Sequence, residues 1–238
     1  MLSFQDQVIV VTGAAGNLGQ AVACAFQPTG AHLVLVDRKP DRLPALYPDL
    51  SGSPDHLLAT SVDLQDEEAI GSLVDRVIER FGRIDVLVNT VGGYRAGKPV
   101  HQTSVEDWDF LLALNARTAF IVSHALVPTM LDQGEGRIVH VASRAGLKGG
   151  SRAAAYSASK SALLRLTESL SAELKRKGIR VNCVLPGTID TPQNREAMPN
   201  GKFDRWVTPE AVADAILFLV SDAARGIHGA AIPVYGTG

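Results

Sequence analysis

Seven short apolar runs, each of strand length, punctuate the chain: Val8 to Val11, Leu33 to Val36, Leu57 to Ser61, Val86 to Asn89, Ile138 to Ala142, Arg180 to Leu185 and Ala231 to Val234. The intervals between them carry helical periodicity instead of tight turns. Strands joined through helices run parallel, and right-handed crossovers place those helices on both faces of the sheet. The expected fold class is therefore α/β, a doubly wound parallel seven-stranded sheet in a single domain over residues 1–238. Gly30, Gly82 and Gly178 each follow a helical stretch and precede a strand, where a left-handed residue closes a helix. Pro28 is expected to end the first helix a turn early.

Two helical stretches are long: Glu106 to about Met130, expected to be interrupted near Pro128, and Ala154 to Lys177, with Leu163, Leu166, Leu170 and Leu174 at three- and four-residue spacings. Such faces need a partner, either the sheet alone or also a second copy in a homodimer or homotetramer built through helices 106–130 and 154–177. A net charge of −2, from 23 basic and 25 acidic residues, offers no footprint for nucleic acid or an anionic membrane and points to a small-molecule partner. Cys24 and Cys183 have neither disulfide-framework nor metal-ligand spacing; both read as small core hydrophobes, and no metal is expected. Met1 to Asp6 lacks a basic region and an apolar core, and no later stretch reads as long and apolar enough to span a bilayer, so a cytoplasmic protein is expected.

Directly after the first strand, Thr12-Gly13-Ala14-Ala15-Gly16-Asn17-Leu18-Gly19 opens a helix. Glycines let the backbone turn tightly and approach a pyrophosphate, and the helix N-terminus presents partial positive charge to it. A strand before and a helix after make this the phosphate turn of a Rossmann-type dinucleotide-binding fold. Asp37 ends the second strand about 20 residues on, where a carboxylate accepts hydrogen bonds from ribose hydroxyls. It favours NAD(H), while NADP(H) is not excluded because Arg38 can offset the repulsion of a 2′-phosphate. Asp63, with Leu64 beside it, reads as a cap on the adenine edge, and Asp63 reads equally well as the N-cap of the next helix.

At the other end of the site, Tyr156-Ser157-Ala158-Ser159-Lys160 puts a phenol and an ammonium one turn apart on one helix face. A nearby cation is expected to lower the phenol pKa, letting Tyr156 act as general acid or base. Ser143, just past the fifth strand, stands at the carboxyl edge of the sheet, where its hydroxyl can hold a substrate oxygen.

The glycine turn, Asn89, Asn115, Ser143, Tyr156xxxLys160 and Pro186-Gly187 come in the order found in short-chain dehydrogenases/reductases, and the resemblance covers essentially the whole chain. It implies a catalytic tetrad of Asn115, Ser143, Tyr156 and Lys160, with Asn115 in mid-helix holding a water that relays protons to Lys160. It also implies cofactor contacts from Gly13, Gly16, Asn17, Leu18, Gly19, Asn89, Pro186 and Ile189, with the Ile189 backbone at the nicotinamide carboxamide. Three departures stand out: Asn17 replaces the family's second glycine, Thr90-Val91-Gly92 follows Asn89 in place of Asn-Ala-Gly, and Tyr235 stands where Asp is common. Asparagine tolerates left-handed backbone, which would let the turn survive.

The segment from about 188 to 208 is expected to cover the substrate. Its Thr191 to Pro199 run, with Phe203 and Trp206, resembles dihydropteridine reductases, as does Val91 to Gly97. On that alternative Tyr94 and Trp206 flank a flat heterocycle and a quinonoid pterin is reduced; Trp206 and Phe203 read otherwise as loop anchors. The tetrad serine speaks for the first reading, hydride transfer between NAD(H) and a small carbonyl or alcohol. Arg95, Arg144, Lys148 and Arg152 read as a ring at the cleft mouth, with Arg144 a substrate contact, or as solvated charges. A catalytically silent dinucleotide sensor is the rival from another class, and the complete tetrad weighs against it.

Overall fold

The computed structural model describes residues 2–237. Seven parallel strands form one sheet in the order β3-β2-β1-β4-β5-β6-β7: β1 Val8–Thr12, β2 His32–Val36, β3 Leu57–Ala59, β4 Val86–Asn89, β5 Gly136–Val141, β6 Ile179–Pro186 and β7 Ala231–Val234. All seven expected runs are strands. From central β1 the chain winds outward through β2 and β3, then returns to β4 on the other side of β1. At that reversal the connections leaving β1 and β4 pass to opposite faces of the sheet and open a crevice at the strands' carboxyl ends.

Alternation along β1 builds two cores. Ile9 and Val11 face the layer containing α1 (Asn17–Phe26), α2 (Arg42–Leu46) and, near the C-terminus, Pro209–Val220. Val8 and Val10 face the opposite layer, which contains α3 (Glu67–Phe81) and the two long stretches. Every β1 residue is buried, as a central parallel strand covered on both faces requires.

The punctuation falls where the sequence places it. Pro28 lies in a short 3-10 turn that follows α1 at Phe26, and Gly30, Gly82 and Gly178 adopt φ of 82°, 72° and 80°. Asp63 is not the next N-cap: Asp66 accepts from the Glu68 and Ala69 amides, while Asp63 accepts from the Gln65 amide in a turn of its own.

The first long stretch differs from expectation. Pro128 does not interrupt it; α4 (Val105–Leu112) leads through a π turn at Ala113–Arg117 into α5 (Thr118–Gln133). Pro128 and His124 are both exposed, so water can take the carbonyl that the missing proline N–H leaves free. The irregularity lies instead at Asn115. By length and composition the 29 residues from Val105 to Gln133 could cross a membrane, contrary to the sequence expectation. Their apolarity has a local use: Leu111, Ala119, Ile121, Val122, Leu126 and Met130 are buried in the fold. The second long stretch is α6 (Ala154–Leu174), closed by a 3-10 turn over Lys175–Lys177. Cys183 is buried in β6, but Cys24 is exposed on α1, since it falls on the side of that helix turned from the sheet.

Candidate active site

The glycine turn occupies one wall of the crevice. Gly13 has φ 66°, and a Cβ there would stand 2.9 Å from Val91 Cγ2. A Cβ on Gly19 would come within 2.8 Å of the Ala14 Cα, so helix α1 can pack against the turn only through glycine. Asn17 is the first residue of α1 and is not left-handed, so the conformational tolerance invoked for it is not used. The α1 N-terminus has no side-chain cap and no acidic residue in its first turn, leaving its amides available to an anion. The buried Leu18 borders the cleft.

Asn89 closes the floor. Its Oδ1 accepts from Thr12 Oγ1 at 2.6 Å, and Thr90 Oγ1 donates to the Thr12 carbonyl at 2.7 Å, so β1 and β4 are tied by one bond between side chains and one from side chain to main chain where they end. At the ribose end, Asp37 is nearly buried and accepts from the Lys39 amide at 2.9 Å. Arg38 is exposed, whereas Arg42, which the sequence reading missed, places its guanidinium 3.8 Å from the Asp37 carboxylate and donates to the Ala15 carbonyl. In the sequence Arg42 is marked only as a basic residue opening α2, as a solvated arginine would be. Asp63 and the buried Leu64 follow β3 on the same sheet edge.

Ser143, Tyr156 and Lys160 line one cleft of about 570 Å³ together with Tyr94, Pro186 and Ile189. Ser143 follows β5 in extended backbone, its Oγ accepting from the Ala145 amide at 3.2 Å. Lys160 is buried and its Nζ donates to the Val141 carbonyl at 2.9 Å. Burial draws its pKa down to about 8. Burial also pushes the Tyr156 phenol upward, with the Ser143 hydroxyl pulling the other way. This is opposite to the direction expected from a cation one turn away, because burial of the phenol outweighs the groups that would lower it.

Asn115 lies in the π turn with its carboxamide bonded through both ends: Oδ1 accepts from the Gly93 amide at 2.8 Å, and Nδ2 donates to the Gly93 carbonyl and to Ser159 Oγ, each at 3.0 Å. Its side chain therefore fixes the loop after β4 against α6. A Cβ on Gly92 would stand 2.9 Å from Asn115 Oδ1 and 3.0 Å from Lys160 Nζ, so glycine lets both approach the chain.

The segment after Pro186 is fastened at both ends. Asp190 donates its amide to the Val207 carbonyl, and Val207 donates to Thr188. Between them α7 (Pro192–Ala197) leans over the crevice, and Asn17 Nδ2 donates to Gln193 Oε1 at 2.7 Å. Tyr94 is exposed at the cleft, its ring edge-on to Tyr156 at 4.8 Å. Trp206 takes the anchoring position: it packs on Phe203 at 4.8 Å and does not line the cleft. Of the four cations read as a ring, only Arg144 lines this cleft; Arg95 and Arg152 border a separate small pocket.

Residues 7–201 match the short chain dehydrogenase family. A hydroxy(phenyl)methylsuccinyl-CoA dehydrogenase subunit of Thauera aromatica is 33% identical, with 99% of this chain and 97% of that protein covered. A 3-oxoacyl acyl-carrier-protein reductase of Thermotoga maritima is also 33% identical, over 99% of this chain and 98% of its own. The structure of an NAD+-bound xylitol dehydrogenase superposes with TM-score 0.88 at 29% identity, covering 99% of both chains. Sheet order, glycine turn and the Ser143, Tyr156 and Lys160 cleft agree with these likenesses, and the chain belongs to the short chain dehydrogenase family of oxidoreductases.

Proposed function

We propose that the protein is an NAD(H)-preferring carbonyl reductase or alcohol dehydrogenase in which Tyr156 is the proton donor and acceptor, Ser143 orients the substrate oxygen and Lys160 supports both. The observation that carries this reading is the convergence of the three side chains in one cleft at the sheet's switch point, beside an uncapped helix N-terminus. The family uses nicotinamide dinucleotides, and the residues present fit one: Gly13 and Gly19 leave no room for side chains, and the α1 amides suit a diphosphate. The nicotinamide, when bound, supplies or accepts the hydride.

This chain's residues then manage the proton. With its pKa raised by burial, Tyr156 keeps its proton at neutral pH, the state required of an acid that donates to a carbonyl oxygen. Ser143 can hold that oxygen beside the phenol, since its Oγ accepts from the Ala145 amide and its hydroxyl proton, directed at the phenol in the free protein, can turn to a carbonyl oxygen placed there. Asp37, nearly buried at the end of β2, supports a preference for an unphosphorylated ribose, with Arg42 close enough to soften it.

Tyr156→Phe is expected to bind NADH like the parent while losing most carbonyl reduction, measured as NADH consumption with a panel of ketones. Undiminished turnover would remove Tyr156 from the chemistry. The pterin alternative asks for two aromatic faces at the cleft, and Trp206, packed on Phe203, supplies none. As to assembly, Val105, Trp108 and Phe120 leave apolar surface exposed on α4 and α5, which supports association of two copies through these helices.

A further inference from the structure

The geometry points to a substrate that carries a carboxylate close to its reacting carbonyl, with Arg144 as the residue that selects it. The chain is slightly acidic overall, yet no aspartate or glutamate lines the cleft that holds Ser143 and Tyr156. Two cations line it. Lys160 is buried and bonded to the Val141 carbonyl. Arg144 is exposed and has no carboxylate partner among the described residues. Other arginines near the site are engaged: Arg42 with Asp37, Arg95 with Asp107 and Arg195 with Asp190.

Arg144 is also braced. Its guanidinium lies over the Tyr235 ring, 5.2 Å from the centroid, so part of the cost of ordering a long side chain is met before any ligand arrives. The Tyr235 backbone packs closely against Gly187 on the cleft wall, where a Cβ would stand 2.9 Å from the Tyr235 carbonyl oxygen. Arg144 and Ser143 line the same cleft, so the positive charge faces the space that receives the substrate oxygen. A planar guanidinium matches a carboxylate through two parallel hydrogen bonds. With apolar Ala142, Pro186, Ile189 and Met198 on the same walls, a compact oxo acid leaves no charge unpaired there. A substrate whose only anionic groups lie far from the carbonyl, as on a long carrier arm, cannot present one to Arg144.

This inference rests on the carbonyl-reductase reading, and its test separates the two. Acetoacetate and levulinate are each compared with their methyl esters as NADH-dependent substrates of the parent, Arg144→Gln and Arg144→Lys. Calorimetry of levulinate, and separately of NADH, reports binding without turnover. The parent is expected to favour the acids, and Arg144→Gln to lower the acid-to-ester ratio of kcat/KM by roughly ten- to hundredfold, mainly through KM. Arg144→Lys recovers part of the ratio, because it keeps the charge and loses the fork. Esters matching acids in the parent, or a ratio that Arg144→Gln does not move, overturns the inference. So does a loss of NADH affinity as large as the loss of acid affinity, which would assign Arg144 to the cofactor. Acids that neither bind nor react, while neutral ketones are reduced in a Tyr156-dependent way, sink the carboxylate site and spare the proposed activity. Arg144-dependent acid binding without any turnover does the reverse.

Discussion

Lys160 concentrates the cost of this site. Its ammonium is buried with a single carbonyl partner, and burial brings its pKa from 10.5 to about 8. Below pH 8 the folded protein must hold a desolvated charge. Between pH 8 and the unfolded value the native lysine is neutral while the unfolded chain still binds the proton, so stability rises with pH there. Lys160→Met is therefore expected to stabilise the cofactor-free protein at pH 7 by on the order of 2 kcal/mol, an advantage that shrinks above pH 8, while activity is lost. Thermal melts of both proteins from pH 6 to 10 check this. Asp37 offers a second test at this scale. Asp37→Ala is expected to raise the NADPH-to-NADH ratio of kcat/KM about tenfold or more, because it removes the carboxylate and frees Arg42 to meet a 2′-phosphate. An unaltered ratio in steady-state assays would show that Asp37 does not read the ribose. Both residues were readable in the sequence, from spacing in one case and from a strand end in the other. Arg42 was not, since nothing local tells a solvated arginine from one that reaches back to Ala15.

The element that the sequence misplaced is the break in the long helix. Pro128 carries the familiar helix-breaking signal, but its solvent position lets the helix continue to Gln133, and the irregular turn forms at Ala113–Arg117. No local pattern announces a π turn. It is held by bonds from Asn115 to Gly93 and Ser159, 22 and 44 residues away in sequence. The same helix exposes Phe120 at 54% and Trp108 at 42% while burying its opposite side on the sheet. Placing a charge on that exposed side should not disturb the fold but should oppose association of two copies. Phe120→Glu is thus expected to reduce the molecular mass in solution by light scattering while leaving the melting temperature of the dissociated chain near the parent's. An unchanged mass would show that this face does not mediate assembly.

At the scale of the molecule, the seven strands and their order of winding were readable because parallel strands buried on both faces become uninterrupted apolar runs. That Ser143, Tyr156 and Lys160 share one cleft was readable because the residue after β5 and the first turns of α6 fall at the carboxyl edge of the sheet. What the sequence hid are contacts between distant segments: Trp206 settling on Phe203, Arg144 lying on Tyr235, and Asn17 meeting Gln193 across 176 residues. The last of these bears on the timing of turnover. Because the segment that covers the substrate is pinned to the phosphate turn, a nucleotide seated in that turn lies behind a shut door. A dinucleotide entering or leaving that turn is therefore expected to break the Asn17–Gln193 bond, whereas a smaller molecule exchanges through the open side of the cleft.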